Sequence, residues 1–300
     1  MCYLPRELRV RLFDEVADLR RKGLAYSEIV GWVQKRYGVR LSKSHVSYWL
    51  RRIHNPYNGR YIPSIELLKP SEELAYVIGV ILGDGYTTKK RRTIRSYNNV
   101  RIGLEVKDRE FADEFARCLG KVLGRHPPKK PRYRKSTKRY VVEVKSKTLY
   151  ELLKKPVNLD GLKKYIEHCE DCMAAFIRGF ADSEGSVNKR GYIHIANTDL
   201  VLLTYVKDLL QRLGVTSTGP EVNIRKGSIG LFRNGYYRRN RDCYYLRIRV
   251  SSNITFYGKV GLSIKRKRRR LEEYLRRRQA KPPSPHFSLY GPYMESFLVI

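Results

Sequence analysis

The 300-residue chain is expected to be α+β, with two copies of an αββαββα unit behind a small all-helical segment. Three observations predict this. The apolar run Leu74 to Tyr86, LAYVIGVILGDGY, has an echo in Met173 to Ser186, MAAFIRGFADSEGS, and both contain an acid followed by glycine near their ends. Segments with strand alternation and segments with helical spacing follow each run in the same order, the signature of an internal repeat. Ahead of the first run, residues 1–55 place apolar residues at helical spacing in three short stretches.

In the first stretch Leu8, Leu12, Val16 and Leu19 share a face, and Gly23 ends it. Ser27 is a cap candidate for the second, where Ile29, Trp32, Val33 and Tyr37 are apolar and Gly38 closes the helix. Ser42 is the cap candidate for the third, with Val46, Trp49, Leu50 and Ile53 expected inward. Its other face carries Lys43, Ser44, His45, Ser47, Tyr48 and Arg51, which are rich in donors and contain no acid. This segment resembles a homeodomain-like helix-turn-helix, whose last helix enters the DNA major groove. A linker rich in Pro, Gly and Asn is expected over 56–68, with Arg60 in it.

The two apolar runs set Gly79 and Gly83, and Gly179 and Ser183, four residues apart, so each helix offers a smooth strip to a neighbouring backbone. Asp84 and Glu184 then fall in the last turn, with Gly85 and Gly185 expected to stop the helix in the left-handed conformation. A carboxylate is disfavoured at the negative end of a helix dipole unless a cation compensates it. Two such helices packed strip to strip in parallel would bring both acids to one place, where a divalent metal could bind.

After the first run come the basic segment Thr87 to Asn99, containing Lys89, and a strand Val100 to Val106, containing Arg101. A helix over Lys107 to Leu123 turns Phe111, Phe115, Leu119 and Leu123 inward. A strand pair around the loop His126 to Lys138 includes Arg139 to Lys145, and Ser146 can cap a helix reaching Leu153. In the second unit the expected order is Tyr192 to Ala196 (strand), Thr198 to Leu213 (helix, stopped by Gly214), and strands near Glu221 to Ile224 and Tyr244 to Val250. Ser263 to Arg278 is expected to be the last helix. Leu246, Ile248 and Val250 face one way and Arg247 and Arg249 the other, so an arginine-bearing sheet face is expected to form a saddle for a duplex.

At this point the chain resembles the LAGLIDADG homing endonucleases in their double-motif, monomeric form. Gly85 and Gly185 match the motif's final glycine and Asp84 and Glu184 the acid before it, while Leu82 replaces the family's earlier aspartate and Arg178 a small residue. The likeness covers residues 66–280 and implies domains at 69–168 and 169–280, with a tail over 281–300. It also implies a metal-dependent nuclease, a hydrolase making a double-strand break with short 3′ overhangs at a long asymmetric DNA site. Asp84 and Glu184 would hold Mg²⁺, with the backbone carbonyls of Gly83 and Ser183 as further ligands; Mn²⁺, or Ca²⁺ in a non-cleaving complex, are the other hard cations of this type. By the same resemblance Lys107, Asn197 and Lys189 are the candidates to assist at the phosphate. Lys43, Ser44, His45, Ser47, Arg51, Lys89, Arg101, Arg139, Arg247 and Arg249 are the DNA-contact candidates. An intron RNA maturase, or a non-catalytic DNA-binding regulator on the same scaffold, are the alternative readings.

Composition agrees with a polyanionic partner. There are 62 Lys and Arg against 29 Asp and Glu, a formal net charge of +33, which favours nucleic acid. No apolar run is long enough to span a bilayer, and MCYLPRELRVR lacks the apolar core of a signal peptide. A cytoplasmic, nucleoid-associated protein is expected. The ends Met1-Cys2 and Val299-Ile300 lack a His-Asn pair, so a free-standing, intron-encoded enzyme is expected in preference to an intein. Of five cysteines, Cys169 and Cys172 follow His168 as half of a zinc pattern, and no second pair answers them.

Overall fold

The computed structural model describes residues 4, 6–51, 53, 54, 56, 68–89, 100–124, 128–232 and 235–279. Most of the expected linker, the larger part of Thr87 to Asn99 and the whole 281–300 tail therefore lie outside the described residues.

Helices α1 (Arg6–Arg21), α2 (Tyr26–Tyr37) and α3 (Lys43–Leu50) close around their own core of Leu12, Val16, Leu19, Ile29, Val33, Val46 and Trp49. Gly38 ends α2 in the left-handed region at φ 65°, and the Ser42 hydroxyl accepts from the His45 N–H to cap α3. Two expectations fail here. Ala25, not Ser27, is the N-cap of α2, because the Glu28 carboxylate turns back to accept from the Ala25 N–H at 2.6 Å. Ile53 is 52% exposed, because α3 ends at Leu50 and the chain leaves helical register before reaching it.

The first repeat runs α4 (Glu72–Leu82), β1 (Tyr86–Lys89), β2 (Val100–Val106), α5 (Arg109–Val122), β3 (Arg132–Arg134), β4 (Arg139–Val144) and α6 (Lys147–Leu153). Its antiparallel sheet has the order β1-β2-β4-β3. The second repeat follows the same order: α8 (Glu170–Glu184), β5 (Gly185–Val187), β6 (Ile193–Asn197), α9 (Leu200–Arg212), β7 (Ser217–Ile224), β10 (Cys243–Ile248) and α11 (Lys265–Gln279). The second sheet, β5-β6-β10-β7, reproduces the first. Between repeats lies α7 (Leu159–Ile166), capped by Asn158; between β7 and β10 a two-stranded ribbon, β8 (Ile229–Phe232) and β9 (Gly235–Arg238), is inserted. A 3-10 and π-helical stretch containing α10 (Asn253–Thr255) precedes α11.

Alternation places Ile102, Leu104, Leu246 and Ile248 under the helices, and one core runs through both repeats across α4 and α8. The strand expected over Tyr244 to Val250 stops at Ile248, since Val250 enters the 3-10 turn. Helix α9 begins at Leu200, two residues later than the expected Thr198, because Asp199 caps it by accepting from the Leu202 N–H. No helix among the described residues is long and apolar enough to cross a membrane.

Candidate active site

Helices α4 and α8 form the seam between the repeats. A Cβ on Gly79 would sit 2.2 Å from the Phe176 carbonyl oxygen, and one on Gly179 would sit 2.4 Å from that of Tyr76. At the far end a Cβ on Gly83 would meet Ser183 Cβ at 2.4 Å and Glu184 Cγ at 3.3 Å. These contacts advance together along both helices, so they run parallel, backbone against backbone, and deliver Asp84 and Glu184 to the same end.

The helix ends differ from the expected form. Helix α4 stops at Leu82, which leaves Asp84 just past its C-cap Gly83, while Glu184 is the last residue of α8. Neither Gly85 nor Gly185 is left-handed; Gly185 has φ −83°. Space, not conformational freedom, calls for glycine here: a Cβ would lie 2.8 Å from Ile81 Cα at Gly85 and 2.3 Å from the Ala181 carbonyl oxygen at Gly185.

Burial raises the Glu184 carboxyl to about 7, and the charge of Asp84 is the next contributor; Lys267, an Asn197 hydrogen bond and Lys155 pull the other way. Asp84 stands at the exposed rim of the site. The protein crowded around its carboxyl still raises it, against the pull of Lys267 and Arg139. Two partly desolvated acids, one of them raised further by the charge of the other, are the electrostatic condition that a bound cation relieves.

The cations around these acids are partly unexpected. Lys267 comes from α11, is 3% exposed, and donates from Nζ to the carbonyl oxygens of Ala181 at 3.0 Å and Asp182 at 2.6 Å. Desolvation lowers it to about 8, with Asp182 and Asp84 working to keep it charged. Asp182, 1% exposed, accepts from the Ser263 N–H at 2.9 Å, the Ile264 N–H at 3.4 Å and the Tyr76 hydroxyl at 3.0 Å. It thereby holds the start of α11 on the seam, and α11 begins at Lys265, later than the expected Ser263. The sequence signal for Asp182 was an acid inside an apolar run; Lys267 stood hidden among six consecutive basic residues, Lys265 to Arg270.

Asn197 ends β6 beside Glu184 and also accepts from the Asp199 N–H. Lys107, just past β2, and Lys189, in the turn after β5, are both exposed. On the first sheet Arg101 is committed to Glu143 at 2.6 Å, and Glu143 also accepts from the Tyr86 hydroxyl, so Arg101 is less available to a phosphate than expected. Arg139 and Lys89 are exposed. On the second sheet Arg247 is exposed beside the rings of Tyr192 and Tyr245, and Arg249 is exposed just beyond β10 and not on it. On α3, Lys43, Ser44 and Arg51 are exposed; Ser47 is half-buried and His45 packs edge-on to Trp49 with ring centroids 4.9 Å apart. Cys169 Sγ accepts from the Cys172 N–H and caps α8, and no group of three or more His, Cys, Asp or Glu placed to hold a metal occurs among the described residues.

Two carboxylates and no third His, Cys, Asp or Glu ligand among the described residues fit a hard cation that takes its other ligands from carbonyls, water and phosphate. A family model described as a LAGLIDADG-like domain matches residues 71–155 and again 171–261. An uncharacterised protein of Methanocaldococcus jannaschii is 34% identical over 270 residues, 89% of this chain and 93% of its own length. A second uncharacterised protein of that organism is 37% identical over 156 residues, 49% of this chain and 57% of its own. Among solved structures, I-DmoI in complex with DNA and Mn matches at TM-score 0.45 and 24% identity, over 63% of this chain and 96% of that one. Full-length DUF199/WhiA from Thermatoga maritima matches at TM-score 0.41 and 15% identity, over 73% of this chain and 66% of that one.

Proposed function

The chain belongs to the LAGLIDADG-like domain family, and from that premise we propose that it is a site-specific, divalent-metal-dependent DNA endonuclease. It hydrolyses one phosphodiester on each strand of a long asymmetric site and leaves short 3′ overhangs. One observation carries the reading: the parallel packing of α4 and α8 brings Asp84 and Glu184 to the same end of the seam, where burial raises both carboxyls and the charge of Asp84 raises Glu184 further. A regulator or an RNA maturase on this scaffold would have no use for that electrostatic cost.

Asp84 and Glu184 would hold Mg²⁺, for which Mn²⁺ or Ca²⁺ can stand in, with the carbonyls of Gly83 and Ser183 as further oxygen donors. When bound, such an ion supplies positive charge at the scissile phosphate and its attacking water. The chain's own residues do the rest. The exposed cations Lys89, Arg139, Arg247 and Arg249 and the face of α3 hold the duplex by its phosphates, and Lys107 and Lys189 add charge near the reacting group. Asn197 orients Glu184, and Lys267 from below keeps the end of α8 from repelling the phosphate. Hydrolysis breaks the P–O3′ bond, leaving a 5′-phosphate and a 3′-hydroxyl.

Both repeats lie in one chain, so a monomer carries two acids for two strands. A cytoplasmic, nucleoid-associated, intron-encoded enzyme is the setting that fits.

Incubation with a library of duplex sites and Mg²⁺, followed by sequencing of the ends, tests this. Paired breaks at one sequence are expected, abolished by Asp84→Asn or Glu184→Gln while DNA binding is largely kept. Full cleavage by either variant would overturn the two-acid site.

A further inference from the structure

The second repeat carries an arm that the first lacks. Where Lys135–Lys138 turn directly from β3 into β4, residues 225–242 separate β7 from β10 and form the β8–β9 ribbon. Bonds from the Gly227 N–H to the Arg239 carbonyl at 2.8 Å and from the Arg239 N–H to the Ser228 carbonyl at 3.0 Å continue the hairpin outward from β7 and β10.

Its two faces are unlike. The register pairs Ile229 with Arg238, Gly230 with Tyr237 and Leu231 with Tyr236. Gly230 and Tyr237 share one face, where the tyrosine ring lies over the glycine and the Arg239 guanidinium stands 5.4 Å from the ring centroid. Ile229, Leu231, Tyr236 and Arg238 share the other, and the three apolar side chains are 73%, 77% and 78% exposed. Apolar side chains concentrated on one face mark an interaction surface. Around them Arg225, Lys226, Arg238 and Arg241 are exposed, with Asp242 the acid among the described residues of the insertion.

We propose that this face is a major-groove arm that reads thymine methyl groups at the outer end of the DNA half-site under the second repeat. The proposal rests on the endonuclease reading above and names a specificity element of its substrate. Three arguments select the occupant. The basic surround attracts a polyanion and repels a second copy of this chain. A two-stranded ribbon fits the major groove, about 12 Å wide, where thymine displays its C5-methyl group to apolar side chains. Ile229 and Leu231, two residues apart on a strand, stand about 6.7 Å from one another, close to the rise of about two base pairs at 3.4 Å each.

The experiment takes a duplex selected by the wild-type chain and replaces thymine by uracil, which lacks the methyl, at the outer positions under the second repeat. Affinity of the wild type should fall about fourfold for each contacted methyl, the worth of one buried methyl group. The variant Ile229→Ser/Leu231→Ser/Tyr236→Ser, altered only at exposed positions and checked for an unchanged melting temperature, should bind both duplexes alike and cut at unchanged positions. Its salt slope should equal that of the wild type, whereas Arg238→Ser should lower the slope by about one. Equal binding of both duplexes by the wild type would overturn the proposal, as would a thymine preference that survives in the triple variant. So would a wild-type dimer in sedimentation that the triple variant dissolves, because the face would then join two copies. A wild type that binds DNA but never cuts it sinks the endonuclease reading and leaves the arm to be judged by the uracil comparison alone. No DNA binding at all would overturn both.

Discussion

Lys267 Nζ lies 2.6 Å from the carbonyl oxygen of Asp182, buried against the last turn of the helix that ends in Glu184. The C-terminal carbonyls of a helix concentrate negative charge, and here that charge adds to the two nearby carboxylates. A buried ammonium is the protein's own counterweight. Its desolvation outweighs the attraction of Asp182 and Asp84 and lowers Lys267 to about 8, while its hydrogen bonds to the Ala181 and Asp182 carbonyls hold it in place.

Removing this cation should therefore be costly. Lys267→Met is expected to destabilise the fold at pH 7 by about 1.5–3 kcal/mol, the range for hydrogen bonds made by a charged group. Thermal or denaturant unfolding measures it, and a loss within about 0.5 kcal/mol would show the lysine to be a passive filler.

The same residue predicts a pH dependence. Its pKa is lower folded, about 8, than in the ordinary lysine range. Between these values the unfolded chain keeps a proton that the folded chain has released, so stability gains from rising pH in that window. Buried thiols such as Cys172, raised to about 12, act in the opposite direction. The difference between wild type and Lys267→Met isolates the lysine. From pH 8 to 10.5 the stability of the wild type should improve relative to the variant by up to about 3 kcal/mol. A constant difference across that range would count against it.

Small residues at the seam and elsewhere should respond in opposite ways. In Gly79→Ala the new methyl meets the Phe176 carbonyl oxygen at 2.2 Å, and backbone cannot step aside without spreading α4 from α8. A loss of about 3 kcal/mol is expected, with cleavage falling further than stability because the acids part. Gly31, inside α2, has nothing within 4 Å of an added Cβ; Gly31→Ala should stabilise the N-terminal helices by about 0.5–1 kcal/mol. Melting curves of the two variants that shift in the same direction would contradict this account.

How far the sequence was readable follows the range of the forces involved. The motif helices announced themselves because apolar runs, small residues four apart and an echo are all local signals, and the same signals predicted that Asp84 and Glu184 would share one end of the seam, as they do. The glycines after them were placed correctly for the wrong reason: what excludes a side chain at Gly185 is the Ala181 carbonyl, which only the folded turn brings there. Lys267 was illegible because its neighbours carry the same charge, and only the packing of α11 on α8 selects one of them for burial. The β8–β9 ribbon escaped because its strands are short and Gly230 interrupts the alternation of Ile229 and Leu231. Arg101 could not be read as half of an ion pair, since Glu143 lies on a partner strand.

Salt should weaken DNA binding steeply. A net charge of +33 and exposed cations on both sheets imply many phosphate contacts. With a slope of about −0.9 per contact, six or more of them lose roughly a thousandfold or more in affinity between about 50 and 200 mM salt. A nearly flat titration would assign the charge to another purpose.

The N-terminal helices should prove a separable recognition module. Their core of Leu12, Val16, Ile29, Val33, Val46 and Trp49 is complete without a residue of either repeat. The seam, both acids and both sheets in turn are built from residues after Leu68. Helix α3 is satisfied on its inner side, capped by Ser42, and leaves Lys43, Ser44 and Arg51 exposed to reach base edges and phosphates. His45 and Ser47 are less free for this than their outer-face spacing suggests, because His45 packs on Trp49 and both are half-buried. The exposed trio should therefore carry most of the effect. Deleting residues 1–60 should weaken binding and shorten the protected footprint at one end, with the cut positions unchanged. Lys43→Ala/Ser44→Ala/Arg51→Ala in the full chain should reproduce the shorter footprint without altering the melting temperature. A footprint of full length in both would make these helices a cap on the fold and leave recognition to the two sheets.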